Sequence, residues 1–87
     1  MVRVGLVGCG TIGSRLARTI ERTYGKTARV TALHDVDRAR AAILQRRLQH
    51  HPPIVSLPLL IRNSDVVIEA ASASVAADVV ARALRAH

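Results

Sequence analysis

The stretch Val2-Arg3-Val4-Gly5-Leu6-Val7-Gly8-Cys9-Gly10-Thr11-Ile12-Gly13 decides the fold. Its β-branched-rich run to Val7 predicts a strand, and the Gly-x-Gly-x-x-Gly that follows at once predicts a tight turn opening a helix. Four of the five glycines fall within these first 13 residues, which marks a special backbone geometry there. Beyond the turn, Ile12, Leu16, Ile20 and Tyr24 recur every four residues with Arg15, Arg18 and Arg22 between them. That spacing predicts an amphipathic helix ending near Gly25.

Working outward, Val30, Ala32 and Leu33 predict a second strand over 29–34. Asp35 and Asp37 then stand where an N-cap and a first helical turn favour negative charge. A second helix is expected from Asp37 to His50, with Ala39, Ile43, Leu44 and Leu48 inward, stopped by His51-Pro52-Pro53. Ile54 to Leu57 reads as a short third strand, and Pro58 to Ser64 as a connector with one helical turn. Asp65 to Ala71 reads as a strand buried on both faces, and Ser74 to His87 as a last helix with Val75, Val79, Val80, Ala83 and Leu84 at helical spacing. The alternation implies the α/β class: a Rossmann-like parallel sheet of about four strands, order 3-2-1-4, with flanking helices and right-handed crossovers.

A chain of 87 residues forms a single small domain over 1–87, with no room for separate cofactor and substrate domains. Only 1% of it is aromatic, so Val, Ile, Leu and Ala must build the core. No run approaches the ~20 apolar residues of a membrane helix, and the N-terminus lacks the order of a signal peptide. The single cysteine, Cys9, allows no internal disulfide and fits a reducing compartment, so the cytoplasm is expected. The net charge of +7 comes almost entirely from arginines spread between Arg3 and Arg85. Without stacking aromatics apart from Tyr24, that charge reads as a solvated surface attractive to phosphorylated ligands, and a nucleic-acid partner is disfavoured.

A glycine motif alone is weak, but this one follows a strand, opens a helix and lies inside a βαβ unit. An acidic residue, Asp35, ends the second strand 22 positions after Gly13. These are the conditions of a dinucleotide site. Gly8 permits the turn, Gly10 has no Cβ to block a pyrophosphate, and Gly13 lets helix and sheet pack closely. Backbone amides around Thr11 and Ile12 then point at the phosphates. Asp35 can accept from the adenosine ribose hydroxyls and would repel a 2′-phosphate, favouring NAD. Arg38, three residues on, can pair with that phosphate, so NADP stays open. The plainer reading of Asp35 is a helix N-cap.

Ala70 and Ala71 are small enough to leave room for the cofactor, and Ser72 can donate to it; alternatively Ser72 or Ser74 caps a helix. Glu69 near a strand end needs a partner that the sequence does not name. Cys9 lies near a helix N-terminus, which can lower its pKa, but with no histidine or second cysteine to pair it reads as a small filler. His50 and His51, being adjacent, do not share a helix face, and no metal site follows. His34 stands either near the adenine or on the surface. Ser14 and the threonines have no triad partners.

Three stretches together resemble a known family: Val4 to Gly13, Leu33-His34-Asp35-Val36-Asp37, and Ser64-Asp65-Val66-Val67-Ile68-Glu69-Ala70-Ala71-Ser72. They are similar to the N-terminal domain of L-aspartate dehydrogenases, whose wider relatives include homoserine dehydrogenases, dihydrodipicolinate reductases and sugar-oxidising oxidoreductases. The resemblance implies NAD(P)-dependent oxidation of L-aspartate to iminosuccinate, which hydrolyses to oxaloacetate and ammonia or feeds NAD biosynthesis. It also implies that the catalytic histidine and substrate-binding residues lie beyond His87. Ala83-Leu84-Arg85-Ala86-His87 resembles the family's helix end, so the chain is expected to be a truncated N-terminal fragment, inactive alone. A non-catalytic nucleotide-sensing module and a basic nucleic-acid-binding domain are the alternatives. The outer edge of the fourth strand is expected to be bare and to invite self-association.

Overall fold

The computed structural model describes residues 1–71, and the first strand is its axis. β1 (Val2–Val7) pairs in parallel with β2 (Ala28–His34) on one side and β3 (Val66–Glu69) on the other, in the order β2-β1-β3. Val4, Gly5 and Leu6 are all buried, as a central strand covered on both faces requires. Val7 pairs with His34 on one side and with Glu69 on the other, so the three strands end level with one another. That alignment gathers the strand exits along a single edge of the sheet.

The expected third strand is reduced to one bridge. Ile54 pairs in parallel with Leu33, whose N–H donates to the Pro53 carbonyl at 2.9 Å and whose carbonyl accepts from Val55 at 2.9 Å. Pro52 and Pro53 have no N–H to extend the ladder, and helix α3 (Leu57–Arg62) begins directly after. The bridge still lies outside β2, where the order 3-2-1-4 puts it. The fourth strand is β3, shorter than the span expected over Asp65 to Ala71. The helix expected over Ser74 to His87 lies outside the described residues.

Two helices follow the first two strands: α1 (Thr11–Thr23) and α2 (Arg38–Arg47). The buried face of α1 is Gly13, Ala17 and Ile20. Ile12 and Tyr24 belong to the expected stripe but are 37% and 52% exposed. A strict four-residue repeat drifts by about 40° per step on a 3.6-residue helix, so the ends of the stripe rotate off the core face. In α2 the buried positions are Ala41 and Leu44, while the expected Ala39 and Ile43 are exposed. The helix stops at Arg47 rather than His50, and Leu48 enters the core from its extended C-cap. Asp37 is the N-cap, its carboxylate accepting from Ala39 at 3.0 Å and Arg40 at 3.4 Å.

Side chains alternate across a strand, and here the alternation assigns each helix a face. A Cβ on Gly5 would meet Leu60 of α3 at 2.5 Å and also strike Ser64 Oγ, so Gly5 faces α3. Val4 and Leu6, on the other side, join Ala17, Ile20, Ala41, Leu44 and Leu48 in the aliphatic core. At the start of the sheet, Asp65 accepts from the Arg3 amide at 2.8 Å and from its guanidinium at 3.0 Å. This hydrogen-bonded guanidinium lowers the Asp65 pKa to about 2. One irregularity lies in β2: Val4 pairs with Val30 and Gly5 with Ala32, which skips Thr31. Thr31 Oγ1 is buried there without a hydrogen-bond partner among the described residues.

Gly5→Ala is expected to lower the urea unfolding free energy by about 1–3 kcal/mol, because the methyl group overpacks the α3 contact. Thr31→Val, which removes an unpaired hydroxyl at nearly constant volume, is expected to raise it by about 1 kcal/mol in the same assay.

Candidate functional site

The level strand ends bring the glycine turn, the end of β2 and the end of β3 together. Gly8 leaves β1 with φ +94°, and its N–H donates to the His34 carbonyl at 2.8 Å. A Cβ on Gly8 would lie 2.6 Å from the Ala71 nitrogen, so the turn packs directly on the 70–71 peptide. A Cβ on Gly13 would strike the Gly8 carbonyl oxygen. The fold itself therefore demands both glycines. Gly10 differs: its backbone is extended, and the nearest atom to a Cβ there is Arg40 Nη1 at 3.9 Å. Packing among the described residues does not explain a glycine at this position, and its missing side chain leaves an open cradle at the mouth of the turn.

Gly10 is also the N-cap of α1, and it offers no side-chain cap. The first turn carries no acidic residue, and among the described residues no acceptor meets the amides of Gly10, Thr11, Ile12 or Gly13. Unpaired amides and the helix dipole give this end of α1 a positive potential that suits an anion. The cradle and the amides together fit the diphosphate of a dinucleotide.

Asp35 is half-buried beside the turn. Its Oδ2 accepts from the Cys9 amide at 2.7 Å and its Oδ1 from the Asp37 amide at 2.8 Å, so it braces the glycine turn against the end of β2. It does not cap α2; Asp37 does. Glu69 finds its partner in the Ala71 amide, which donates to Oε1 at 2.7 Å. Ala70 is buried under the turn and Ala71 is exposed, while Ser72 lies outside the described residues. His34 Nδ1 donates to the Val55 carbonyl at 2.9 Å, which ties its ring to the segment outside β2.

Four arginines join this site that the motif did not reveal. A groove of about 390 Å³ runs from the Cys9–Thr11 turn between α1 and α2, walled by Arg15 and Arg18 on one side and Arg40 and Arg47 on the other. Their spacing, three apart on α1 and seven apart on α2, was the available signal, but only the packing of the two helices shows that the stripes face each other. Arg38, the expected phosphate partner, is not among the lining residues. A smaller cavity of about 130 Å³, beside Gly25 and Ala28 at the far end of the sheet, contains none of the expected site residues. Among the described residues no cluster of histidine, cysteine or acidic groups could hold a metal, and no helix is long and apolar enough to cross a membrane.

Cys9 is buried, and desolvation, then the Asp35 charge, push its pKa from 9.0 to about 11, the reverse of the lowering that helix proximity suggested. The folded chain keeps this proton to about pH 11, whereas the unfolded chain loses it near pH 9. The resulting stability is complete below pH 9 and is lost as pH rises toward 11. Cys9→Ala is therefore expected to remove on the order of 1–3 kcal/mol of the alkaline loss seen in urea titrations over that range.

Residues 8–87 match the family described as homoserine dehydrogenase, NAD binding domain. The L-aspartate dehydrogenase of Methanocella arvoryzae is 36% identical over 84 residues, covering 97% of this chain and 31% of that protein. That of Methanosarcina acetivorans is 35% identical over 87 residues, covering 99% and 32%. The chain thus spans about a third of the length of the curated relatives it matches. Among solved structures, a protein assigned as a myo-inositol dehydrogenase from Sinorhizobium meliloti 1021 aligns with a TM-score of 0.73 at 25% identity, over 99% of this chain and 26% of that one. A UDP-N-acetylglucosamine 3-dehydrogenase from Acidithiobacillus ferrooxidans shares the fold with a TM-score of 0.64 at 23% identity, over 98% of this chain and 27% of its own. The family match runs from the first glycine of the turn to the last residue, and the chain belongs to the NAD-binding domain family of homoserine dehydrogenase.

Proposed function

We propose that this chain is the cofactor-holding part of an L-aspartate-dehydrogenase-like oxidoreductase, with NAD(P) seated on the Gly8–Gly13 turn. The observation that carries this reading is Gly10. Its side chain is absent where the fold has space for one, beside amides that have no acceptor among the described residues. In this arrangement the amides of Thr11 and Ile12 bind the diphosphate. Each Asp35 oxygen accepts one backbone amide and keeps a lone pair for a ribose hydroxyl. Gly8, Gly13 and Ala70 hold the turn in shape, Ala71 borders the crevice at the end of β3, and Ser72 donates to the cofactor.

The bound cofactor supplies the nicotinamide carbon that exchanges hydride with the substrate. This chain binds and orients that group. L-aspartate as the substrate is supported by the names of the relatives at 36% and 35% identity. The chain spans about a third of the length of those relatives, and the role assigned to it is to hold the cofactor, without turnover of L-aspartate by itself. Among the described residues β3 pairs only with β1, and that edge supports association with a second copy. The unpaired thiol of Cys9 supports a reducing cytoplasmic setting.

Titration with NADH tests the reading. Saturable binding to the 87-residue chain is expected, together with no turnover of L-aspartate. Gly10→Ala should keep wild-type urea stability yet weaken NADH binding by about tenfold or more, about 1.4 kcal/mol. Asp35→Ala should weaken it comparably, and Gly13→Ala should lose stability and binding together. Undiminished NADH affinity in a folded Gly10→Ala variant, or turnover of L-aspartate by the wild-type chain, would overturn the assignment.

A further inference from the structure

We infer that the groove between α1 and α2 is a seat for a 2′-phosphate, with Arg40 and Arg15 as the residues that discriminate the phosphorylated dinucleotide from the plain one. This rests on the reading of the glycine turn as a dinucleotide site, and it reverses the preference for NAD that Asp35 suggests in the sequence.

Three observations lead there. The first is position. Arg40 Nη1 lies 3.9 Å from where a Gly10 Cβ would stand, so its guanidinium overhangs the mouth of the turn. Asp35 is bonded to Cys9, which lines the same groove, so a ribose held by Asp35 lies against the groove wall. The second is charge. Four arginines line the groove, two from each helix, and none of the described residues lining it carries a carboxylate. Among the described residues Arg40 pairs with one carboxylate, that of Asp37 at 3.5 Å, in an exposed pair whose carboxylate also caps α2. Like charges brought together with so little compensation favour a dianion between them. A phosphate monoester carries a charge of about −1.5 to −2 at pH 7, in a shape that guanidinium groups bind bidentately.

The third observation concerns Asp35 itself. Its selectivity against a 2′-phosphate depends on an exposed negative charge at the ribose. Here both of its oxygens are already engaged by backbone amides, at 2.7 and 2.8 Å. The carboxylate can still accept from a ribose hydroxyl, but its field is partly neutralised, and the four arginines outweigh it. Arg18 and Arg47, further along the groove, add to the attractive field without having to touch the phosphate.

Calorimetric titration of the 87-residue chain with NADH and with NADPH tests this. Wild type is expected to bind NADPH at least as tightly as NADH. Arg40→Gln and Arg15→Gln should each weaken NADPH at least tenfold while leaving NADH within about twofold, and the α3 surface change Arg62→Gln should alter neither. Adenosine 2′,5′-bisphosphate should compete better than adenosine 5′-monophosphate, by a margin that shrinks with added salt. Weaker binding of NADPH than of NADH by wild type, or an equal loss of both nucleotides in Arg40→Gln, would overturn the inference and leave the cofactor reading in place. Failure to bind either nucleotide, with or without affinity for a DNA duplex, would overturn both.

Discussion

A Cβ on Gly8 would stand 2.6 Å from the Ala71 nitrogen, and one on Gly13 would strike the Gly8 carbonyl oxygen. The close approach of this turn to the end of β3 is the constraint on which the rest of the site depends. It holds only because β1 lies between β2 and β3 with all three ending level, at Val7, His34 and Glu69. The Gly8 amide reaches back to His34 on one side, and the Val7 carbonyl accepts from Ala70 on the other. Polar backbone groups at the sheet edge are thereby paired within the turn region, while the amides at the start of α1 are left for a ligand.

The three motif glycines do different physical work. Gly8 and Gly13 are required by the protein's own packing, so their presence says little by itself about a ligand. Gly10 has an ordinary backbone conformation and, among the described residues, open space beside it, and its place suits a ligand. Around that opening, charge is divided. Asp35 is tied to the turn and the start of the α2 connection, while the arginines of α1 and α2 converge on the groove next to it. The surface charge that composition presents as diffuse is thus partly concentrated beside the site, where it can attract and orient a phosphorylated ligand.

Local patterns made much of this legible. Val2 to Val7, the glycine turn and the start of α1 follow from residue types acting over a few positions, and the structure places them accordingly, while the cap of α2 falls on Asp37 and not on Asp35. Where the pattern misled, a longer-range effect intervened. Ile12 and Tyr24 rotate off the core face because a four-residue repeat does not match the helix, and Ala41 displaces Ala39 and Ile43 because packing against β2 selects the face of α2. The strand over Ile54 to Leu57 yields to α3 and two prolines, leaving one bridge.

The chain's primary structure alone was sufficient for the β-α-β-α succession up to α2, the α/β class and the motif that marks a dinucleotide domain, since turns and periodicity are short-range properties. The partner of Glu69, the bracing of Cys9 by Asp35, the need for glycine at position 5 and the four-arginine groove depended on how distant segments come together. Each is a contact between residues far apart in the chain or on separate elements, and no periodicity within one element specifies what faces it across a packed interface.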